Sequence, residues 1–252
     1  MVLHCPPPHE YTMKLTHFHD RIREKTANPH AAPVLLVAFG DSVTQGMTAL
    51  GVQEPDAVYH ARLKRTLETA HPLATFSVIN AGQSGQNAVG ALSSLERDVL
   101  RHQPDLVTIS FGLNDAWGGE SGMPAFRAAI EEMIVRVRTA TQSDVLVLTP
   151  TFMNRADNAR VAAEHRALVA PMADVMNSGM LARYAQAVRD AAKAQSANCI
   201  DVYAEWQRLA DSGVNTDELL SNGLNHPTGE AHDIAARMLA AFILTAFTTE
   251  AA

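Results

Sequence analysis

Short, unbroken apolar runs alternate along this chain with longer helix-favouring stretches, and this alternation limits the fold more than any other feature. Runs lie at residues 34–39 (VLLVAF), 76–79, 106–110, 145–149 and 199–202. Such runs read as parallel strands buried on both faces, since a half-exposed strand would alternate apolar and polar residues. The stretches between them have helical spacing. Residues 57–70 place Val58, Leu63 and Leu67 near one face, and residues 88–100 and 124–140 behave similarly, with Pro124 suited to a first turn. Residues 158–195 are Ala-rich, with breaks expected at Pro171 and at Asn177-Ser178-Gly179, and residues 229–247 form the last helix. Strand and helix alternating at least five times predict a doubly wound α/β domain over residues 33–252. Residues 1–32, rich in Pro and His, form an N-terminal arm with a short helix over 11–25, either partly disordered or packed over the domain.

Composition narrows the function classes. The chain has 252 residues, 47% of them hydrophobic and 19% charged, as expected of one globular domain. A formal net charge of -7 without a Lys/Arg block argues against nucleic acid or an anionic membrane as partner. Cys5 and Cys199 are too few for a disulfide framework, and free thiols in a reducing compartment are the simpler reading. The N-terminus, MVLHCPPP, lacks the basic and apolar regions of a signal peptide. The apolar stretch at 235–247 contains Arg237 and is too short to span a bilayer. The expected location is cytoplasmic. Histidines 4, 9, 17, 19, 30 and 60 show no tight metal-ligand spacing, so no metal site is expected among them. Oligomeric state, a homo-oligomer included, stays open.

In open parallel sheets ligands bind at the carboxyl ends of the strands, so the residues after each run carry the chemistry. Gly40-Asp41-Ser42-Val43-Thr44-Gln45-Gly46 follows the first run and puts the Ser42 hydroxyl where a strand meets a helix; Asp41 or Ser42 as a plain helix cap is the competing reading. Gly82 follows the second run and can offer a backbone N–H at close approach. A nucleophile elbow at Ser84 fails, because Gln86 stands where the second glycine of G-x-S-x-G belongs. Asn114, after the third run, can donate to developing negative charge, or can simply cap a turn. His226, in a loop before Pro227 and the last helix, can act as general base. Together these supply a nucleophile, a base and three oxyanion donors: the Ser42 N–H, the Gly82 N–H and the Asn114 amide.

The same residues carry a resemblance to the SGNH hydrolases, the GDSL esterase/lipase superfamily. Its four naming residues are matched in order by Ser42, Gly82, Asn114 and His226, within FGDSVTQG, NAGQSGQNA, SFGLNDAW and NHPTGEAH. The resemblance runs from about Val34 to about Phe247. It implies a three-layer α/β/α, flavodoxin-like domain with a five-stranded parallel sheet, and ester hydrolysis through a serine acyl-enzyme without metal or cofactor. It also exposes a departure. The family has an Asp three residues before the histidine; Gly223 holds that place here, Asn222 stands four before, and Asn225 is an extra residue. The expectation is a Ser–His dyad whose Nδ1–H is accepted by a neutral group, a backbone carbonyl or the Asn222 side-chain oxygen, with Asp201 as the alternative carboxylate. The expected substrate is a small-molecule short-chain or acetyl ester, with an acetylated carbohydrate in view and Trp117 as a pocket wall or sugar platform. Two other classes compete: an SGNH-fold binding protein without catalysis, and a nucleotide or FMN binder, which GDSVTQG disfavours because it lacks the glycines and lysine of a P-loop.

Overall fold

With no face left for water, the apolar runs align as a parallel sheet covered on both sides. The computed structural model describes residues 14–49 and 51–250. Its elements run α1 (Thr16–Ala27), β1 (Val34–Gly40), α2 (Ser42–Gln45), β2 (Met47–Ala49), β3 (Val52–Gln53), α3 (Tyr59–Ala70), β4 (Phe76–Gly82), α4 (Ala88–Ala91), α5 (Leu95–Asp98), β5 (Leu106–Ser110), α6 (Gly119–Ala140), β6 (Asp144–Leu148), α7 (Val169–Asn177), α8 (Met180–Ala194), β7 (Asn198–Ile200), α9 (Val202–Asp211) and α10 (Gly229–Glu250). The five-stranded sheet has the order β4-β1-β5-β6-β7, parallel throughout, and β2 and β3 form a separate antiparallel pair. Helix α3 packs on α10 and α6 on α8, giving a three-layer α/β/α sandwich. Strands β1, β5 and β6 are nearly inaccessible: Val34, Leu106, Val107, Ile109, Leu146 and Val147 are all fully buried.

Helix α1 closes the amino-terminal end of the sheet. Leu15, Phe18 and Ile22 belong to the central core. The Phe18 N–H donates to Asp144 at 2.9 Å, and Asp105 takes Arg21 Nε at 3.1 Å and the Leu35 N–H at 2.7 Å. Two carboxylates thus pin the helix to β1, β5 and β6. The part of the expected arm helix at residues 11–13, and Cys5, lie outside the described residues.

Four helix expectations change. Residues 88–100 are not one helix but α4, α5 and a 3-10 turn (Leu100–His102). The Ser93 and Ser94 hydroxyls donate to the Gly90 and Ala91 carbonyls at 2.8 and 3.2 Å, competing with the helical ladder. Helix α6 starts at Gly119, which places Pro124 inside it, on an exposed face where water can satisfy the freed carbonyl. Residues 158–162 are not helical, because the Asn158 side chain takes the Arg160 N–H in an Asx-turn and donates to the Gly223 carbonyl. The chain does break after α7, where Gly179 has φ +79°, whereas Pro171 sits in the first turn of α7 and breaks nothing.

Candidate active site

Strand register brings the expected residues to one place. Gly40 pairs with Gly82 on one side and with Ser110 on the other, so β1, β4 and β5 end level where the strand order reverses. Two glycines let α2 fold tightly over these ends. A Cβ at Gly40 would lie 2.2 Å from Thr44 Oγ1 and 2.6 Å from the Ser110 carbonyl, and one at Gly82 would lie 2.2 Å from the Gln45 nitrogen. Asp41 caps α2 by accepting the Val43 N–H at 2.9 Å. Ser42 opens the helix, so its N–H belongs to the first turn, which has no intrahelical acceptor.

The loop before α10 brings His226 to this edge from the other end of the chain. His226 Nε2 stands 3.0 Å from Ser42 Oγ. Ser221 Oγ contacts the Thr48 carbonyl at 2.7 Å and the His226 carbonyl at 3.0 Å, tying the loop to β2. His226 Nδ1 is buried and has no hydrogen-bond partner among the described residues. The Thr48 carbonyl favours the ring's protonation, without forming an aligned hydrogen bond to Nδ1. Burial dominates and pushes the imidazole down to about 4.

Two expectations about Nδ1 are therefore corrected. The Asn222 oxygen is not its acceptor, because it already takes the backbone N–H groups of Leu224, Asn225 and His226. Asp201 is not its carboxylate: Arg189 holds it at 2.8 and 2.9 Å, Thr149 Oγ1 donates to it at 3.0 Å, and it caps α9. Among the described residues no carboxylate bonds His226.

The three expected oxyanion donors also lie at these strand ends. The Gly82 N–H donates to the exposed Asn80 Oδ1 at 3.0 Å. Asn114 Nδ2 donates to the Gln86 carbonyl at 2.9 Å, leaving its second N–H for a ligand. Asp115, which sequence reasoning passed over, joins the two loops: it accepts the Ala88 N–H at 2.8 Å and the Gly112 N–H at 3.0 Å. Burial raises Asp115 to about 6, and burial aided by the charge of Asp115 raises Asp41 to about 7. A polar residue directly beside each motif serine or asparagine was the available signal. Ser84 donates to Gln45 Oε1 at 2.6 Å and meets no histidine. Trp117 follows Asn114 on a 3-10 turn and is 43% exposed. Among the described residues, no group of three or more His, Cys, Asp or Glu is placed to hold a metal ion, and no helix is long and apolar enough to cross a membrane.

Known proteins share this architecture. The acetylxylan esterase Axe2 from Geobacillus stearothermophilus superimposes with a TM-score of 0.64 at 19% identity, over 84% of this chain and 95% of that one. A two-domain esterase active on acetylated mannans gives 0.67 at 21% identity, over 93% of this chain and 54% of that one. Likeness at these identities shows the fold. A curated relative, the uncharacterized lipoprotein YqeF of Bacillus subtilis (strain 168), is 35% identical over 81 residues, a match spanning 32% of each chain. Residues 38–234 match the model of the GDSL-like Lipase/Acylhydrolase family. With its Ser, Gly and Asn blocks after β1, β4 and β5 and its His block in the loop before α10, the chain belongs to the GDSL-like lipase/acylhydrolase family.

Proposed function

We propose that this protein hydrolyses short-chain or acetyl esters through a Ser42 acyl-enzyme, with acetylated carbohydrate as the substrate class. The observation that carries the reading is the 3.0 Å contact between His226 Nε2 and Ser42 Oγ. That is the distance at which a neutral imidazole can take the serine proton during attack. In this scheme His226 removes the proton as Ser42 attacks the ester carbonyl. The oxyanion forms against the Ser42 N–H, the Gly82 N–H and the free Asn114 N–H. The alcohol leaves with the proton from His226, and water, activated by the same ring, releases the acid. For the Gly82 N–H to serve, the Asn80 amide must turn away, giving up its bond to the Gln45 carbonyl (3.1 Å) as well, and an exposed side chain exchanges such bonds for water at modest net cost. Acetylated carbohydrate is suggested by the two structural relatives and by the exposed Trp117 ring beside Asn114, a surface suited to stacking on a sugar.

A second reading, an SGNH-fold binding protein with little or no turnover, is favoured by the unpartnered Nδ1 of His226. Ser42→Ala separates the two. On the hydrolase reading it lowers p-nitrophenyl acetate turnover at least about a thousandfold and abolishes labelling by a fluorophosphonate. Unchanged hydrolysis in Ser42→Ala would remove the assignment. An unlabelled, inactive wild type would leave the binding protein.

A further inference from the structure

The loop that carries His226 is organised around the amide of Asn222, one residue before the glycine that holds the place of the family's Asp. Asn222 Oδ1 accepts three successive backbone N–H groups, from Leu224, Asn225 and His226, each at 3.0 Å. Asn222 Nδ2 donates to Asn225 Oδ1 at 3.2 Å. One side chain therefore sets the path of the four residues that end at the histidine. The neighbouring position is equally determined. Gly223 has φ +69°, its carbonyl takes Asn158 Nδ2 at 2.8 Å, and a Cβ there would lie 2.4 Å from Asn158 Oδ1. An aspartate at Gly223 would be strained and would collide with Asn158. The loop is stitched to the segment after β6 as well. The Asn154 N–H donates to the Leu224 carbonyl at 2.6 Å, and Asp217 accepts the N–H groups of Arg155 and Ala156 at 2.9 and 3.1 Å.

Among the described residues the imidazole itself has one hydrogen-bond partner, Ser42 Oγ. In a complete triad the acid does two things: it orients the ring through Nδ1 and stabilises the imidazolium. We propose that Asn222 is the positioning residue that takes over the first task, aiming the His226 ring at Ser42 through its backbone, while the second task is left undone. The inference rests on the reading of Ser42 and His226 as the reacting pair. Asn222 touches neither substrate nor the reacting atoms; it acts through three N–H groups.

The test compares wild type, Asn222→Ala and Asn222→Asp in three measurements: melting temperature, steady-state hydrolysis of p-nitrophenyl acetate against pH, and the titration of the His226 imidazole by NMR. His165 and His232 also lie within electrostatic reach of His226 and are common to all three proteins, so their influence cancels. Asn222→Ala removes the oxygen and frees the loop. Misplacement by about an ångström costs about a hundredfold, so kcat falls by that order while KM stays within about threefold. The freed ring then titrates closer to an ordinary histidine. Asn222→Asp keeps the accepting oxygen, so it recovers most of the lost turnover, and its charge moves the acid limb of kcat/KM upward by at least about half a pH unit. A purely structural role would lower melting temperature and the amount of active enzyme together, with no movement of the limb. Wild-type kcat and wild-type imidazole titration in Asn222→Ala overturn the proposal. If Asn222→Ala does not fold, a folded Asn222→Asp with low turnover and an unmoved limb overturns it equally. Hydrolysis that survives Ser42→Ala would instead defeat the hydrolase reading, and the imidazole titration, which needs no turnover, reports on Asn222 separately.

Discussion

Lowering the pH from 7 to 5 should weaken the fold through His232, and the size of the effect can be worked out. His232 is 3% exposed, lies under a stacked Tyr59 ring at 6.3 Å, and its Nε2 has no hydrogen-bond partner among the described residues. Burial, with His60, Arg62 and His226 nearby, pushes it down to about 3. In the unfolded chain it titrates near 6.5. A base whose pKa is depressed by folding binds its proton in the unfolded state first, so stability is full above about 6.5 and is lost as pH falls towards 3. At pH 5 the unfolded histidine is almost wholly protonated and the folded one neutral, which costs about 2 kcal/mol; at pH 4 the cost is about 3 kcal/mol. His60 and His226, each near 4, act in the same direction. Asp41 and Asp115, raised to about 7 and about 6, act in the opposite direction, because folding favours their protonated forms. The wild-type total is therefore smaller than three histidines alone would give. The assay removes that complication by difference. Urea unfolding of wild type and His232→Gln at pH 7 and pH 5 gives two pH dependences, and their difference isolates His232. Loss of the ring shifts the variant by a constant that cancels. We expect wild type to lose about 2 kcal/mol more than His232→Gln over this interval. A difference below about 0.5 kcal/mol would refute the claim that this ring is buried as a neutral base.

Asn114→Ala should lower kcat on p-nitrophenyl acetate by about a hundred- to a thousandfold with little change in KM, since the amide is needed once negative charge develops. Gly82→Ala would drive a methyl to 2.2 Å from the Gln45 nitrogen, so it should destabilise by more than about 3 kcal/mol, read as a large fall in melting temperature or as insoluble protein. Trp117→Ala should raise KM for an acetylated oligosaccharide several-fold and leave p-nitrophenyl acetate kinetics unaltered; equal effects on both substrates would argue against a sugar platform.

The sheet was legible because its central strands, β1, β5 and β6, are buried on both faces, which unbroken apolar runs record. Strand β4 shows where that signal ends: the apolar run stops at Ile79, yet pairing with Ala38, Phe39 and Gly40 continues through Asn80, Ala81 and Gly82. Backbone pairing at the sheet edge tolerates the polar, exposed Asn80. The breaks within residues 88–100 and 158–162 were hidden because they depend on side chains bonding backbone, at Ser93, Ser94 and Asn158, against a helix-favouring background. At the site, the positions of Ser42, Gly82 and Asn114 follow from strand ends alone. The surroundings of His226 do not. They depend on Thr48, Asn154 and Asn158, residues distant in sequence whose nearness only the folded chain creates.

The missing acid and the burial of His226 have one joint consequence for the proposed chemistry. Charging an imidazole held near 4 costs about 3 kcal/mol more than charging it in water, and no carboxylate among the described residues offsets this. Two effects favour the reaction nonetheless. A ring held near 4 is wholly neutral at pH 7, so every molecule starts with its base ready. The imidazolium also forms together with the oxyanion, within one poorly solvated site where opposite charges attract strongly. What remains is a proton transfer slower than in a full triad, by up to about two orders of magnitude for 3 kcal/mol. That handicap matters most when the leaving group is a poor one that must be protonated early, as an amine must, and least for an alcohol leaving an acetyl ester. A Ser–His pair aimed by Asn222 and lacking a carboxylate is therefore better matched to ester cleavage than to amide cleavage.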